Sequence, residues 1–138
     1  MRVDLDERKA VARRCVGLWD DAARTDELRA LLAPGYVHHS ANGDLDADQL
    51  IEQLGYLGAA FSDVEYEIVH LVGEGETISV FVGVNMTHTG DFAGIAATGR
   101  RVSTSGATFF RIHDGVIVED WDAWGLLSLV RQLQAATG

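Results

Sequence analysis

The chain has 138 residues, the length of one domain and enough to bury a core without disulfides or metals. Eleven Lys and Arg against 21 Asp and Glu leave a net charge of −10, which repels phosphate backbones and anionic lipid and argues against nucleic acid or a membrane surface as partner. The single Cys15 cannot form an internal bridge, and the charged N-terminal stretch fits neither a secretory signal nor a membrane span, so a cytoplasmic protein is expected.

Val11, Cys15, Leu18, Trp19 and Ala22 recur at helical spacing and predict an amphipathic helix between Leu5 and Ala23, with Asp4 and Glu7 in capping-box positions. Thr25 caps a short second helix through Leu28, Leu31 and Leu32, which Pro34 and Gly35 stop. Leu50, Leu54, Leu57 and Phe61 give a third helix that starts in the acidic stretch 44–48, where negative charge suits a helix N-terminus. From Val64 the apolar period falls to that of a strand. Strands are expected over 64–72, 77–89, 98–113 and 116–124, separated by 73–76, the loop 90–97 and the turn 113–115. Leu126, Leu127, Leu129, Val130 and Leu133 read as a C-terminal helix.

Helices followed by a strand meander make one α+β domain over residues 1–138. Long strands interrupted by glycine coil rather than lie flat. The expected architecture is a cone, a curved antiparallel sheet closed by the N-terminal helices around a pocket for a small, mostly apolar organic molecule.

Alternation within such strands decides which side chains meet a ligand. Along 116–124 the residues Val116, Val118, Asp120, Asp122 and Trp124 share one face, and Ile117, Glu119, Trp121 and Ala123 the other. Two carboxylates two residues apart on a pocket wall repel each other and lose hydration, which lifts a pKa toward the range of a general base. Asp122 is then the acid/base residue and Asp120 its partner; with the opposite face buried, both are solvated surface. The matching sets are Val102, Thr104, Gly106, Thr108, Phe110 and Ile112 on one strand and Val80, Val82, Val84, Met86 and His88 on another. Val84, Met86, Thr108, Phe110 and Trp124 are the expected lining, with Tyr36 and Phe92 as aromatic walls that serve equally as core. His88, at a strand end, orients a substrate carbonyl or merely closes a turn. No metal-ligand spacing, no Gly-x-Ser-x-Gly elbow and no glycine-rich phosphate cradle is present, so neither metal nor cofactor is expected.

Three stretches carry a resemblance across roughly residues 8–134: Tyr36-Val37-His38-His39-Ser40-Ala41-Asn42-Gly43, the run from Thr87 through His88, Gly90, Phe92 and Gly94 to Arg100, and the run from Phe110 to Trp121. In this order they resemble the SnoaL-like polyketide cyclases of the nuclear-transport-factor-like superfamily, which includes ketosteroid isomerases and limonene epoxide hydrolases. The resemblance implies a cofactor-independent enzyme that removes a proton beside a carbonyl, so that the enolate closes a ring or isomerises. It implies that the Asp120 and Asp122 face turns inward and that the loop bearing His38, His39 and Asn42 reaches the cavity, with His39 or His88 steadying the oxyanion. It implies a homodimer paired through the outer sheet face, where Phe109, Arg111, Glu119 and Trp121 fall. Relatives of this type carry an acid/base Asp just after the last strand, where this chain has Gly125. That difference keeps open a non-catalytic carrier or sensor of an apolar metabolite. Epoxide hydration is the remaining alternative, although Thr108 stands where it needs an inward acid.

Overall fold

In the computed structural model residues 2–137 are described, with side chains over 4–135. The elements in chain order are α1 (Arg2–Leu18), a 3₁₀ turn (Ala22–Arg24), α2 (Thr25–Ala30), β1 (Leu32–Ser40), β2 (Gly43–Leu45) and α3 (Ala47–Ala60). Four strands and a helix follow: β3 (Phe61–Glu74), β4 (Thr77–His88), β5 (Arg101–His113), β6 (Val116–Trp124) and α4 (Leu126–Thr137).

Helix α1 starts at Arg2, so Asp4 lies within its first turn rather than at a cap. It ends at Leu18, earlier than the apolar spacing suggests, because Asp21 caps the following 3₁₀ turn by accepting the Ala23 N–H. Helix α3 is closed by a reciprocal capping box between Asp46 and Gln49. The turn between β5 and β6 places Asp114 and Gly115 at positive φ, 51° and 79°, as a two-residue hairpin requires.

The six strands form one sheet in the order β2-β1-β6-β5-β4-β3, curled but not closed. It is mixed, not purely antiparallel, because β1 runs parallel to β6. The segment read as a loop around Tyr36 is therefore a strand. Pro34 and Gly35 (φ 78°) sit within it, where the pairing with β6 skips from Leu32 to Val37, an interruption that tolerates both residues.

The inner face carries Ile78, Val80, Val82, Val84 and Met86 from β4 and Val102, Phe110 and Ile112 from β5, all buried. Helix α1 covers β3, β4 and β5 with Ala12, Cys15 and Val16, and α4 covers β5 with Leu129 and Leu133. A bulge corrects the expected alternation of β6: Ile112 pairs with Ile117 while Arg111 pairs with Glu119, so Val118 is the extra residue. Ile117 is consequently fully buried, and Asp120 and Trp124 still face inward.

Gly106 lies under the Trp124 indole: a Cβ there would sit 2.4 Å from Trp124 Cδ2 and 2.7 Å from the Ala123 carbonyl oxygen. Gly106→Ala is expected to destabilise the fold by about 1–3 kcal/mol, the usual penalty of overpacking. Urea denaturation measures this, and an unchanged midpoint would show that the indole moves aside freely.

Candidate active site

Strand β1 alternates Tyr36 in, Val37 out, His38 in, His39 out, and its register sets His38 beside Asp120 and His39 beside Trp121. On the inner face this assembles a polar cluster in otherwise apolar surroundings. Asp120, 4 % exposed, accepts from the Tyr36 hydroxyl at Oδ2 (2.6 Å) and faces His38 Nδ1 through Oδ1 (2.5 Å). His38, equally buried, places Nε2 3.3 Å from Asp122 Oδ2, yet that nitrogen makes no hydrogen bond. Asp122 is half-buried and pairs across the strands with Thr108, as Asp120 does with Phe110.

The electrostatics follow from this packing. Burial alone would strip His38 of its proton, but Asp120 and Asp122 outweigh it and raise its pKa to about 9. An imidazolium therefore stands between the two aspartates and offsets the repulsion expected of a bare pair. Burial, reinforced by the Asp120 charge, pushes the Tyr36 phenol far above its ordinary range and does the same to the Cys15 thiol. Both stay protonated, and Tyr36 is a permanent donor to Asp120.

The other expected site residues are dispersed. His39 is turned to the outer face by the strand alternation; its ring stacks on Trp121 (centroids 5.1 Å apart) and contacts Asp44 and Glu119 at 2.9 Å each. Glu119, and then Asp44, hold that imidazole above its usual pKa. Asn42 lies in the exposed turn between β1 and β2, its N–H directed to Ser40 Oγ. His88 is fully buried, and its Nδ1 accepts the Thr98 N–H (3.1 Å), which leaves the proton on Nε2 without a partner. Val80 is the β4 residue in register with Thr108 and Asp122, so His88 lies eight positions further along. At about 3.3 Å per residue that is roughly 26 Å of strand, too far to share one carbonyl with Asp122. Phe92 packs against Tyr56 and Phe61, far along the same arm.

Val84, Met86, Thr108, Phe110 and Trp124 all lie on the inner face. Trp19, just after α1, packs among the inner aromatics, its ring 5.9, 6.4 and 6.0 Å from those of Tyr66, Phe110 and Trp124. Concavities open elsewhere, one bounded by Asp4, Arg8 and Asp114, another by Arg29, Pro34, Tyr36 and Asp46. Among the described residues no cluster of three His, Cys, Asp or Glu could hold a metal ion, and no helix is long and apolar enough to cross a membrane. His38 stands out little in the sequence; its one signal is its place two residues after Tyr36, one strand period along.

A profile of SnoaL-like polyketide cyclases matches residues 9–133. The chain belongs to the SnoaL-like polyketide cyclase family. Among solved structures it is similar to AclR, a candidate hydroxylase from Streptomyces galilaeus, with 27% identity, a TM-score of 0.86 and coverage of 95% of this chain and 98% of that one. A candidate SnoaL-like polyketide cyclase from Jannaschia sp. has 21% identity and a TM-score of 0.84, covering 95% of this chain and 94% of the other. A protein of ketosteroid-isomerase-like fold from Catenulispora acidiphila, crystallised with trimethylamine, has 16% identity, a TM-score of 0.73 and coverage of 90% and 92%. No curated protein matches. The SnoaL-like family thus accounts for the curled sheet with its helical cover, and the His38 cluster is built on that scaffold.

The raised His38 pKa carries a stability consequence. Folding favours the protonated ring, so its contribution is complete below about pH 6.5 and fades as pH rises through about 9. The melting temperature of the wild type is expected to fall across that window more steeply than that of His38→Gln, which has no ring to titrate. Equal slopes in the two proteins would refute the buried imidazolium.

Proposed function

We propose that this protein is a cofactor-independent enzyme of the cyclase or isomerase type, acting by acid/base chemistry on a small, apolar, polyketide-like carbonyl compound. The observation that carries the reading is the pair Asp120 and Asp122 on the inner sheet face, one locked by Tyr36 and His38 and the other half-buried beside Thr108. Such a division of labour suits proton abstraction: Asp122 removes the proton next to a carbonyl, and Asp120 stays a fixed anion. Trp124, Phe110, Thr108, Val84 and Met86 supply apolar contact. Gly125, standing where relatives of this type place an acid, favours a second reading as a carrier or sensor of an apolar metabolite.

The protein acts as a cytoplasmic homodimer in this reading. Phe81, Phe109 and Trp121 are 41–47 % or, for Trp121, 40 % exposed on the outer sheet face, and Phe109 pairs directly with Trp121, an apolar patch that suits burial against a second copy. Light scattering is expected to give about twice 15.0 kDa. A species of 15.0 kDa at high micromolar concentration would overturn the dimer.

Enolisation can be followed without the natural substrate, through exchange of the α-hydrogens of 2-tetralone in D₂O by mass spectrometry. The wild type is expected to exceed the buffer rate, and Asp122→Asn to lose about 10²–10⁴ of that acceleration while keeping its melting temperature. No acceleration by the wild type would refute the enzyme reading and leave the carrier.

A further inference from the structure

Asp120 has committed an oxygen to each neighbour on β1, Oδ2 to the Tyr36 hydroxyl and Oδ1 to His38 Nδ1. A carboxylate fixed behind Nδ1 orients an imidazole and stabilises its charged form, the relation that holds the histidine of a hydrolase triad in place. What remains of the ring is Nε2, buried on the inner face, 3.3 Å from Asp122 Oδ2 and without a hydrogen bond. The contact with Asp122 is an ion pair without hydrogen-bond geometry, so the directional bond of Nε2–H is left for a ligand atom set between the ring and that half-buried carboxylate.

We infer that His38 is the general acid of this site, its Nε2–H directed at the carbonyl oxygen of the substrate whose α-proton Asp122 removes. The inference rests on the enolising reading above. Asp122 takes the α-proton as the C–H bond breaks, and the electron pair passes into the carbonyl. The oxygen takes the Nε2 proton, giving an enol and a neutral His38. In the reverse direction the enol proton returns to Nε2 and carbon takes a proton from Asp122, which in D₂O has exchanged for deuterium; the C=O is restored and nothing is oxidised or reduced.

Other donors near the site are unsuited to this role. The Tyr36 hydroxyl is spent on Asp120, and His88 lies eight positions along β4 from the register of Asp122. The titratable groups facing His38 are Asp120 and Asp122 from β6 and Tyr36 from β1, with Cys15 of α1 behind Asp120. The aspartates keep the ring protonated to about pH 9, so the acid is charged before substrate arrives.

The test combines kinetics with a direct view of the ring. In ¹⁵N-histidine NMR of the wild type, both His38 nitrogens are expected to remain protonated at pH 8, and Asp122→Asn should lower the His38 pKa. With 2-tetralone as probe, wild-type exchange should fall above about pH 9. His38→Asn, which keeps a donor toward Asp120 but lacks Nε2–H, should lose about 10²–10⁴ in rate and with it that alkaline limb. A merely structural histidine would lower the melting temperature of the variant and leave the alkaline limb in place. A neutral His38 titrating near 6.5, or an active wild type matched in rate and pH profile by His38→Asn, overturns the acid role alone. A wild type no faster than buffer overturns the enolising reading and this inference with it.

Discussion

A carboxylate buried between two strands has to be neutralised where it stands, and Asp120 is neutralised from across the seam between β1 and β6. Removing one partner of a buried, hydrogen-bonded ion pair typically costs about 3–5 kcal/mol, so the donors on β1 are bound to that strand's position. Tyr36 and His38 stand 84 and 82 residues away in sequence from the aspartate they satisfy. Among the described residues the only parallel pairing in the sheet is thus the one that brings two donors, spaced one full pleat apart, onto a single buried acid. The Ile117 N–H, directed to the Leu31 carbonyl at 2.7 Å, fixes the other end of that seam.

The same seam explains which parts of the fold could be read in advance. Strands β4 and β5 obey strict alternation from Ile78 to His88 and from Val102 to Ile112, so their inner faces were legible from period alone. Strand β1 was not: Pro34 and Gly35 look like a helix stop, and no hydrophobic alternation survives around them because the buried positions are Tyr36 and His38, both polar. Its parallel partner is also distant in sequence, and nothing local specifies such a pairing. The Val118 bulge was equally hidden, since the run from Val116 to Val118 is apolar throughout and gives no sign of where the alternation shifts. Asp120, Asp122 and Trp124 could be assigned one face from their mutual spacing, which lies beyond the bulge and is unaffected by it.

Two adjacent histidines illustrate how one step along a strand separates two kinds of chemistry. His39 belongs to a solvent-facing row in which Asp44, Glu119 and Arg111 share charge, and Trp121 shields one side of the ring. Exposed contacts of that sort contribute little each, and salt weakens them. His38, on the opposite face, meets comparable carboxylates out of water, where each interaction is stronger and an unmet donor is costly. The type of residue is the same and so is the number of acidic neighbours; burial decides how strong each contact is. The family resemblance points to His39, because the sequence does not show that His39 occupies the outer face.

Gly125 bears on the same point. A Cβ at this position would meet Ser105 O and Thr104 Oγ1 at 3.5 Å each, ordinary contact distances, and its backbone is not in the left-handed region. Neither crowding nor conformation therefore demands glycine just after β6, and a larger residue is absent for some reason other than the fold. The acidic groups lie instead three and five residues earlier, at Asp122 and Asp120, within the strand and in line with the β1 donors. Carboxylates held within a paired strand have less freedom than one at a strand end, which suits a site whose geometry depends on a single imidazole set between two acids. The arrangement depends on all three side chains at once: without Asp120 the ring loses its anchor, without Asp122 it loses its second counter-charge, and without His38 two carboxylates face each other in apolar surroundings.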